Sequence, residues 1–383
     1  MTHDNFIPYG RQIIDDADIQ AVVETLRSSW LTTGPQVSAF ESEFAAYVGA
    51  THAVAVANGT AALHLAMLAA GIGPGDEVVV PAITFVASAN AARYVGADVR
   101  FADIDPATLL IDVNSASELI TERTKAIVSV DYAGMPCDYG GLRELASKHG
   151  LLLIEDACHA PGATYNETAV GAIADITAFS FHPVKHLTTG EGGMVTTESE
   201  ELAARLRTFR SHGITSDFRR REESGTWEYD QVELGFNYRI ADINCALGRS
   251  QLTKQREWVE SRREIADRYR SVLDDIPNVL LQEEPADRRS AWHLFPIRIV
   301  GDDASTLRRD VFNAMRNDGI GVNVHYRPVY LNSYYANLGY QAGLCPIAER
   351  AYEGLLSLPM WPGLEESAQD RVVKSLLSAL NAA

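Results

Sequence analysis

The chain has 383 residues, 46% of them hydrophobic and 22% charged, the composition of a soluble globular protein. That length exceeds one ordinary core, so two domains are expected, divided as 1–245 and 246–383. A formal charge of −18 argues against nucleic acid or an anionic membrane surface as partner, since both want clustered Lys and Arg. No apolar run approaches the ~20 residues of a membrane helix. Residues 1–10 show no basic start followed by an apolar core, so no leader is expected. Cys137, Cys158, Cys245 and Cys345 form no CxxC pair and have no metal-site spacing. Reduced structural thiols in a cytoplasmic enzyme without a metal are the expectation.

In chain order, Asn58-Gly59-Thr60 opens an Ala/Leu-rich helix predicted to run through Ala70, and the glycines at 71, 73 and 75 break it. Strands are predicted at Glu77–Pro81, Val99–Ala102, Lys125–Val130, Leu151–Glu155, Ile176–Phe181 and Gly193–Thr196. Helical stretches such as Leu142–His149 lie between several of them, with Gly150 as a C-terminal stop. Continuous apolar strands alternating with helices imply an α/β fold with a mostly parallel sheet covered on both faces. Ligands of such sheets sit at the carboxyl ends of the strands. Asp156, His159, Ser180 and Lys185 all fall at or just past predicted strand ends. One long charged helical stretch, about 241–274, leads to a second unit. That unit holds a strand at Ser290–Ile299, a helix near Thr306–Asp318 and the segment His325-Tyr326-Arg327-Pro328-Val329-Tyr330. Without an internal repeat or a low-complexity linker, the two units are expected to pack together.

Lys185 carries the chemical argument. An apolar strand ends at Ser180, Pro183 keeps a helix from following at once, and Gly190, Gly192 and Gly193 come next. A lysine held in such a turn beside phosphate-binding groups is what an aldehyde cofactor such as pyridoxal 5'-phosphate (PLP) requires, because its amine must form a Schiff base. Alone, the same lysine reads as a surface residue of a loop. Asp156 could pair with a protonated pyridine nitrogen or merely cap the next segment. Its neighbour Glu155 should face the other side of the strand. His159 could bond the cofactor's ring oxygen or be a satisfied structural histidine. Gly59 and Thr60, at a helix start, suit a phosphate or form an ordinary N-cap. Ser180 could add a hydroxyl to that phosphate, and Phe85 could stack on a flat ring or belong to the core. Nucleotide-triphosphate, zinc-protease and hydrolase signatures (GxxxxGK[ST], HExxH, GxSxG) are absent. Gly71, Gly73 and Gly75 precede a strand, against a dinucleotide site.

The ordered set Asn58-Gly59-Thr60-Ala61-Ala62-Leu63, Pro81-Ala82-Ile83-Thr84-Phe85, Glu155-Asp156-Ala157-Cys158-His159, Ser180-Phe181-His182-Pro183-Val184-Lys185 and Gly235-Phe236-Asn237-Tyr238-Arg239 resembles the DegT-type sugar-nucleotide aminotransferases. The likeness runs from Tyr9-Gly10-Arg11-Gln12 to Leu356-Ser357-Leu358-Pro359. It implies an aspartate-aminotransferase-like fold (PLP fold type I): a large domain on a mostly parallel seven-stranded sheet and a smaller C-terminal α/β domain. It also implies that Lys185 carries PLP and then shuttles a proton, that Asp156 holds the pyridine nitrogen and His159 the ring oxygen, and that Phe85 stacks on the ring. By the same likeness Gly59, Thr60 and Ser180 bind the phosphate. Asn237 would reach the cofactor phosphate of a neighbouring subunit, which implies a homodimer with shared active sites. His182, His325, Tyr326 and Arg327 would lie on the substrate side.

Ile7-Pro8-Tyr9-Gly10-Arg11-Gln12, the run from Ser180 to Gly193, and Arg210-Ser211-His212-Gly213-Ile214 are most similar to the 4-aminotransferases of pseudaminic acid biosynthesis. That likeness implies L-glutamate as donor and a UDP-linked 4-keto-6-deoxy sugar as acceptor, other UDP-, GDP- or dTDP-linked keto sugars remaining open. Arg327 and Tyr330 depart from the family's pattern in a loop expected near the nucleotide sugar. The sugar dehydratases of this fold carry a histidine in place of the lysine, so Lys185 argues against that branch. A passive PLP-binding regulator is disfavoured by the net charge and by the lack of a DNA-binding segment.

Overall fold

A computed structural model describes residues 6–215 and 225–382; Met1–Asn5, part of the start read as carrying no leader, lie outside them. The main sheet holds β1 (His52–Val56), β2 (Glu77–Pro81), β3 (Asp98–Ala102), β4 (Thr124–Val130), β5 (Leu152–Asp156), β6 (Ile176–Ser180) and β7 (Gly193–Thr197). Across the sheet the order is β1-β7-β6-β5-β4-β2-β3. Neighbours from β6 to β3 run parallel, and β7 is antiparallel to both β1 and β6. The seven-stranded, mostly parallel sheet is thus as expected. Val78–Val80, Ala126–Val128 and Leu153–Ile154 are fully buried, and burial on both faces is why these strands read as unbroken apolar runs. β1 is an addition to the strands read from the sequence. Its five residues, His-Ala-Val-Ala-Val, are too short and alanine-rich to stand out from the helices around them.

Helices α1 (Asp16–Arg27) and α2 (Pro35–Val48) precede the sheet. Around its strands follow α3 (Gly59–Ala69), α4 (Val86–Tyr94), α5 (Val113–Glu118), α6 (Tyr139–His149) and α7 (Glu200–Arg210). α3 is nearly all Ala, Leu and Met and has no solvent face, which suits a central helix packed on β6 and β7 between α4 and α7. Asn58 caps it, its side-chain oxygen accepting the Ala61 N–H at 2.8 Å. Gly150 ends α6 at φ 65°, as the sequence predicts.

The long helix expected over about 241–274 is two, α8 (Asp242–Leu252) and α9 (Gln255–Leu273). The break at Thr253-Lys254 lets flanking polar groups reach inward. Gln251 donates to Asp18 at 2.6 Å, Lys254 pairs with Asp15 and Asp18 at 2.7 and 2.8 Å, and Gln255 donates to the Pro161 carbonyl at 3.1 Å. The boundary expected at 245/246 falls inside α8. Beyond it, β8 (Val279–Leu281), β9 (Phe295–Ile299) and β10 (Leu355–Leu358) form an antiparallel sheet, with α10 (Ala304–Asn317), α11 (Pro346–Gly354) and α12 (Glu366–Ala382) alongside. The strand predicted to start at Ser290 starts only at Phe295. Residues 290–294 turn into the main body instead: Ala291 N–H bonds the Gly134 carbonyl at 2.9 Å, Leu294 N–H the Ala133 carbonyl at 3.3 Å, and Trp292 adopts φ 49°.

Because β7 is antiparallel, its first residue shares an edge with the carboxyl ends of the parallel strands. A Cβ on Gly193 would lie 2.6 Å from the Asn58 carbonyl oxygen and 2.9 Å from that of Phe179. Both are backbone atoms, one at the cap of α3 and one inside β6, and cannot retreat. Gly193→Ala is expected to lower stability by on the order of 1–3 kcal/mol, read as a lower denaturant midpoint with an unchanged slope.

Candidate active site

The strand ends of this edge deliver the residues singled out in the sequence. β1 leads into Asn58-Gly59-Thr60, β2 into Thr84-Phe85, β5 ends at Asp156 and leads to His159, and β6 ends at Ser180 and leads to Lys185. Gly59 and Ser180 are brought face to face: a Cβ on Gly59 would come within 2.8 Å of the Ser180 Cβ, 3.1 Å of its Oγ and 3.4 Å of the Cys158 Sγ. With the Ala61 N–H taken by Asn58, the N–H groups of Gly59 and Thr60 are the open donors of the first turn of α3. A hydroxyl, two N–H groups and a helix N-terminus thus meet in a cradle that only glycine keeps open.

Asp156 is buried at the end of β5. Its carboxylate accepts the Ser88 hydroxyl at 2.6 Å and the Cys158 N–H at 3.2 Å, and Ser88 is in turn 2.7 Å from the Thr84 hydroxyl. Ser88 was not singled out in the sequence. It lies 68 positions from Asp156, and only the fold, which brings α4 to the end of β5, joins them. Phe85, which caps α4 just before Ser88, is 55% exposed, an apolar surface suited to a flat ring.

The tautomer of His159 follows from its partners. The Ala133 N–H points at Nδ1 at 3.3 Å, so Nδ1 is the acceptor and Nε2 carries the hydrogen. Nε2 lies 3.3 Å from the Tyr326 hydroxyl. Burial, reinforced by the charges of Lys185, His325 and His186, holds this imidazole well below its ordinary 6.5, so it is a neutral donor. The His293 ring backs it at 4.3 Å, another contact the sequence did not disclose.

Lys185 follows a tight turn in which its own N–H bonds the His182 carbonyl at 2.9 Å. Burial pushes its amine below the ordinary 10.5, against the smaller raising effects of Cys158 and Asp156. A half-buried lysine so placed spends time unprotonated, as a Schiff-base lysine must.

His325 is buried, within 2.9 Å of the Ser357 hydroxyl, and burial followed by the Lys185 charge lowers it to about 4. Tyr326 connects His159 to Phe85, with ring centres 6.0 Å apart for the latter pair. Tyr9 joins this wall, 5.5 Å from the His325 ring. His182 and Arg327 are exposed at its rim. Tyr330 corrects the expectation for this loop. It is fully buried, its hydroxyl donates to Glu349 and accepts the Cys345 N–H at 3.1 Å, and it anchors α11 instead of facing a ligand. Asn237 is exposed, on a segment pinned just past β1 by the Ala57 N–H, which bonds the Tyr238 carbonyl at 2.8 Å.

An open phosphate cradle, an anchored carboxylate, a neutral imidazole donor, an exposed aromatic face and a deprotonation-prone lysine on one strand edge fit PLP, and the fold and site define a PLP-dependent enzyme. Residues 12–377 match the model of the DegT/DnrJ/EryC1/StrS aminotransferase family, and the chain belongs to that family. It is 41% identical over 375 residues to the spore coat polysaccharide biosynthesis protein SpsC of Bacillus subtilis, covering 97% of this chain and 96% of that protein. Streptococcus pneumoniae Spr1654, solved in PLP and PMP forms, superposes with TM-scores of 0.93 and 0.94 at 32% identity, over 98% of this chain and 99% of that one. Helicobacter pylori PseC, an aminotransferase involved in pseudaminic acid biosynthesis, superposes at 0.92 with 32% identity over 99% and 100% of the two chains. The protein is a PLP-dependent sugar aminotransferase.

Removing the hydroxyl that anchors Asp156 tests the site without touching the lysine. Ser88→Ala is expected to weaken PLP binding by about 0.5–1.5 kcal/mol, measured as a raised dissociation constant in a cofactor titration. An unchanged constant would contradict the anchoring role.

Proposed function

We propose that the enzyme moves the amino group of L-glutamate to the C4 keto group of a nucleotide-linked 4-keto-6-deoxy sugar, UDP-linked and of the N-acetyl-altrosamine type used for pseudaminic acid. The observation that supports this best is the likeness to PseC over essentially the whole of both chains. The higher identity to SpsC, named for spore coat polysaccharide, favours as second reading a 4-aminotransferase for another UDP-, GDP- or dTDP-linked keto sugar of a surface polysaccharide.

PLP, when bound, supplies an aldehyde that captures the amine and a ring that accepts electrons. Residues of this chain do the rest. Asp156, held in place by the Ser88 hydroxyl and the Cys158 N–H, meets the pyridine nitrogen. His159 offers its Nε2–H to the ring oxygen, Phe85 covers the ring face, and Gly59, Thr60 and Ser180 hold the phosphate. Lys185 Nζ, in its neutral form, would take the proton from the donor's Cα and deliver it to the carbon on the other side of the donor's nitrogen, the former aldehyde carbon of the cofactor. His182, His325, Tyr326 and Arg327 face the sugar nucleotide.

Asn237 would complete the phosphate site of a second copy, giving a homodimer with shared sites. Its surroundings support this: Trp227 and Leu234, at 84% and 79% exposure, are apolar surface on the same segment. A cytoplasmic enzyme of two packed units, 1–245 and 246–383, is in keeping with its four free cysteines, and no helix among the described residues is long and apolar enough to cross a membrane.

Lys185→Arg is expected to abolish turnover, at least about 10³-fold. In the unaltered enzyme kcat should rise with pH as Lys185 loses its proton and level off below the ordinary lysine value of 10.5. A panel of UDP-, GDP- and dTDP-linked 4-keto-6-deoxy sugars with glutamate, scored by product mass, assigns the acceptor. Turnover of dTDP or GDP sugars alone would sink the UDP reading.

A further inference from the structure

Two carboxyl groups beneath the site take no part in the chemistry above. Asp131 follows β4, and Glu155 precedes Asp156 in β5; both are fully buried. Asp131 Oδ1 accepts the Tyr139 hydroxyl at 2.7 Å and the Cys137 N–H at 3.0 Å, and Glu155 Oε2 accepts the Thr177 hydroxyl at 2.6 Å. The other two oxygens, Asp131 Oδ2 and Glu155 Oε1, receive no hydrogen bond from any described group. Yet β4 and β5 pair in parallel register with Ser129 opposite Glu155, so Asp131, two residues past Ser129, has its carboxyl on the same face as that of Glu155, and the Tyr139 hydroxyl that bonds Asp131 stands on that face too, 3.3 Å from Ser129.

The titratable groups turned toward the pair are Tyr139 on α6 and Cys137 just before it, neither of them a cation at neutral pH. Arg288 acts on Cys137, and the Gly171 N–H lies near Glu155. Two carboxylates side by side, out of water and with no facing cation among the described residues, cannot both stay ionised.

We propose that Asp131 and Glu155 share one proton, held by Asp131 Oδ2 toward Glu155 Oε1, and that this acid–carboxylate pair positions the turn on which His159 and His325 depend. The turn is fastened at both ends. Asp131 N–H bonds the Asp156 carbonyl at 3.1 Å, and Gly134 N–H bonds the Asp131 carbonyl at 3.0 Å. Between them, Ala133 N–H sets the tautomer of His159, and the Tyr132 hydroxyl holds the His325 carbonyl. Asp131 and Glu155 are therefore positioning residues, reaching the ligand through a turn and not by contact. Burial, then the mutual charge, pushes Asp131 well above 3.8, and burial raises Glu155 above 4.5. Carboxyls raised in the folded state stabilise it fully below their unfolded values and lose that contribution as pH climbs toward the folded ones.

The proton half of the proposal stands by itself; the positioning half rests on the PLP reading of the site. Infrared spectra of the holoenzyme, carrying ¹³C in the aspartate side-chain carboxyls, test the first. At neutral pH the unaltered protein should show the carbonyl band of a buried aspartic acid, shifted by the label and missing from Asp131→Asn. No such band, or one that survives in Asp131→Asn, overturns the shared proton. Should Asp131→Asn not fold, Glu155→Gln replaces it, because its amide can donate to an ionised Asp131 and should also remove the band. For the second half, PLP titration should find Asp131→Asn, which keeps a donor for Glu155, within about threefold of the unaltered protein, and Asp131→Val weakened by about tenfold or more. Equal affinity of all three proteins overturns the positioning role. Because the infrared band is read without reference to PLP affinity, failure of the cofactor reading and failure of the shared proton give different results.

Discussion

The buried carboxylate of Asp156 is the constraint around which the rest is arranged. A charge taken out of water at a strand end is costly unless donors surround it. Here β5 delivers the residue, the chain just after it supplies the Cys158 N–H, and α4 brings the Ser88 hydroxyl from a different crossover. The parallel sheet makes this meeting possible because it turns the carboxyl ends of β2, β4, β5 and β6 to one edge. Under the proposed reading, a pyridinium nitrogen would complete the partners of Asp156, and the positions of ring, ring oxygen and phosphate would follow from it.

Around that anion the site holds bases in their neutral forms. Burial is the first cause for Lys185, His159 and His325 alike, and the Lys185 charge lowers both imidazoles further. A neutral His159 can donate from Nε2 and would not compete with a pyridinium for Asp156. A lysine shifted below its ordinary range exchanges protons within reach of physiological pH. The same dry interior that tunes these groups forces Asp131 and Glu155 to resolve their charges by sharing a proton. Electrostatics of site and support thus have one origin, exclusion of water beneath the sheet's carboxyl edge.

Much of this was legible in the residues because it is local. Apolar runs marked six of the seven strands, Asn58-Gly59-Thr60 marked the start of α3, and Asp156, Ser180 and Lys185 showed themselves by falling at strand ends. What stayed hidden depends on contacts distant in sequence. Nothing near Ser88 points to Asp156, and nothing near Ala133 points to His159. The aromatic run 325–330 hid a division of roles that only burial reveals: Tyr326 lines the site, and Tyr330 bonds Glu349 in the core. The break between α8 and α9 was likewise invisible to helical periodicity, since it serves the buried amides of Gln251 and Gln255 and the ion pair of Lys254.

The central claim is that this strand edge holds PLP covalently at one lysine. Borohydride reduction of the PLP-loaded protein, followed by peptide mass spectrometry, tests it most directly, because reduction makes a Schiff base permanent. The account expects a single phosphopyridoxyl group, carried on Lys185. A label on another lysine, or a fully loaded protein with Lys185 unmodified, would contradict it.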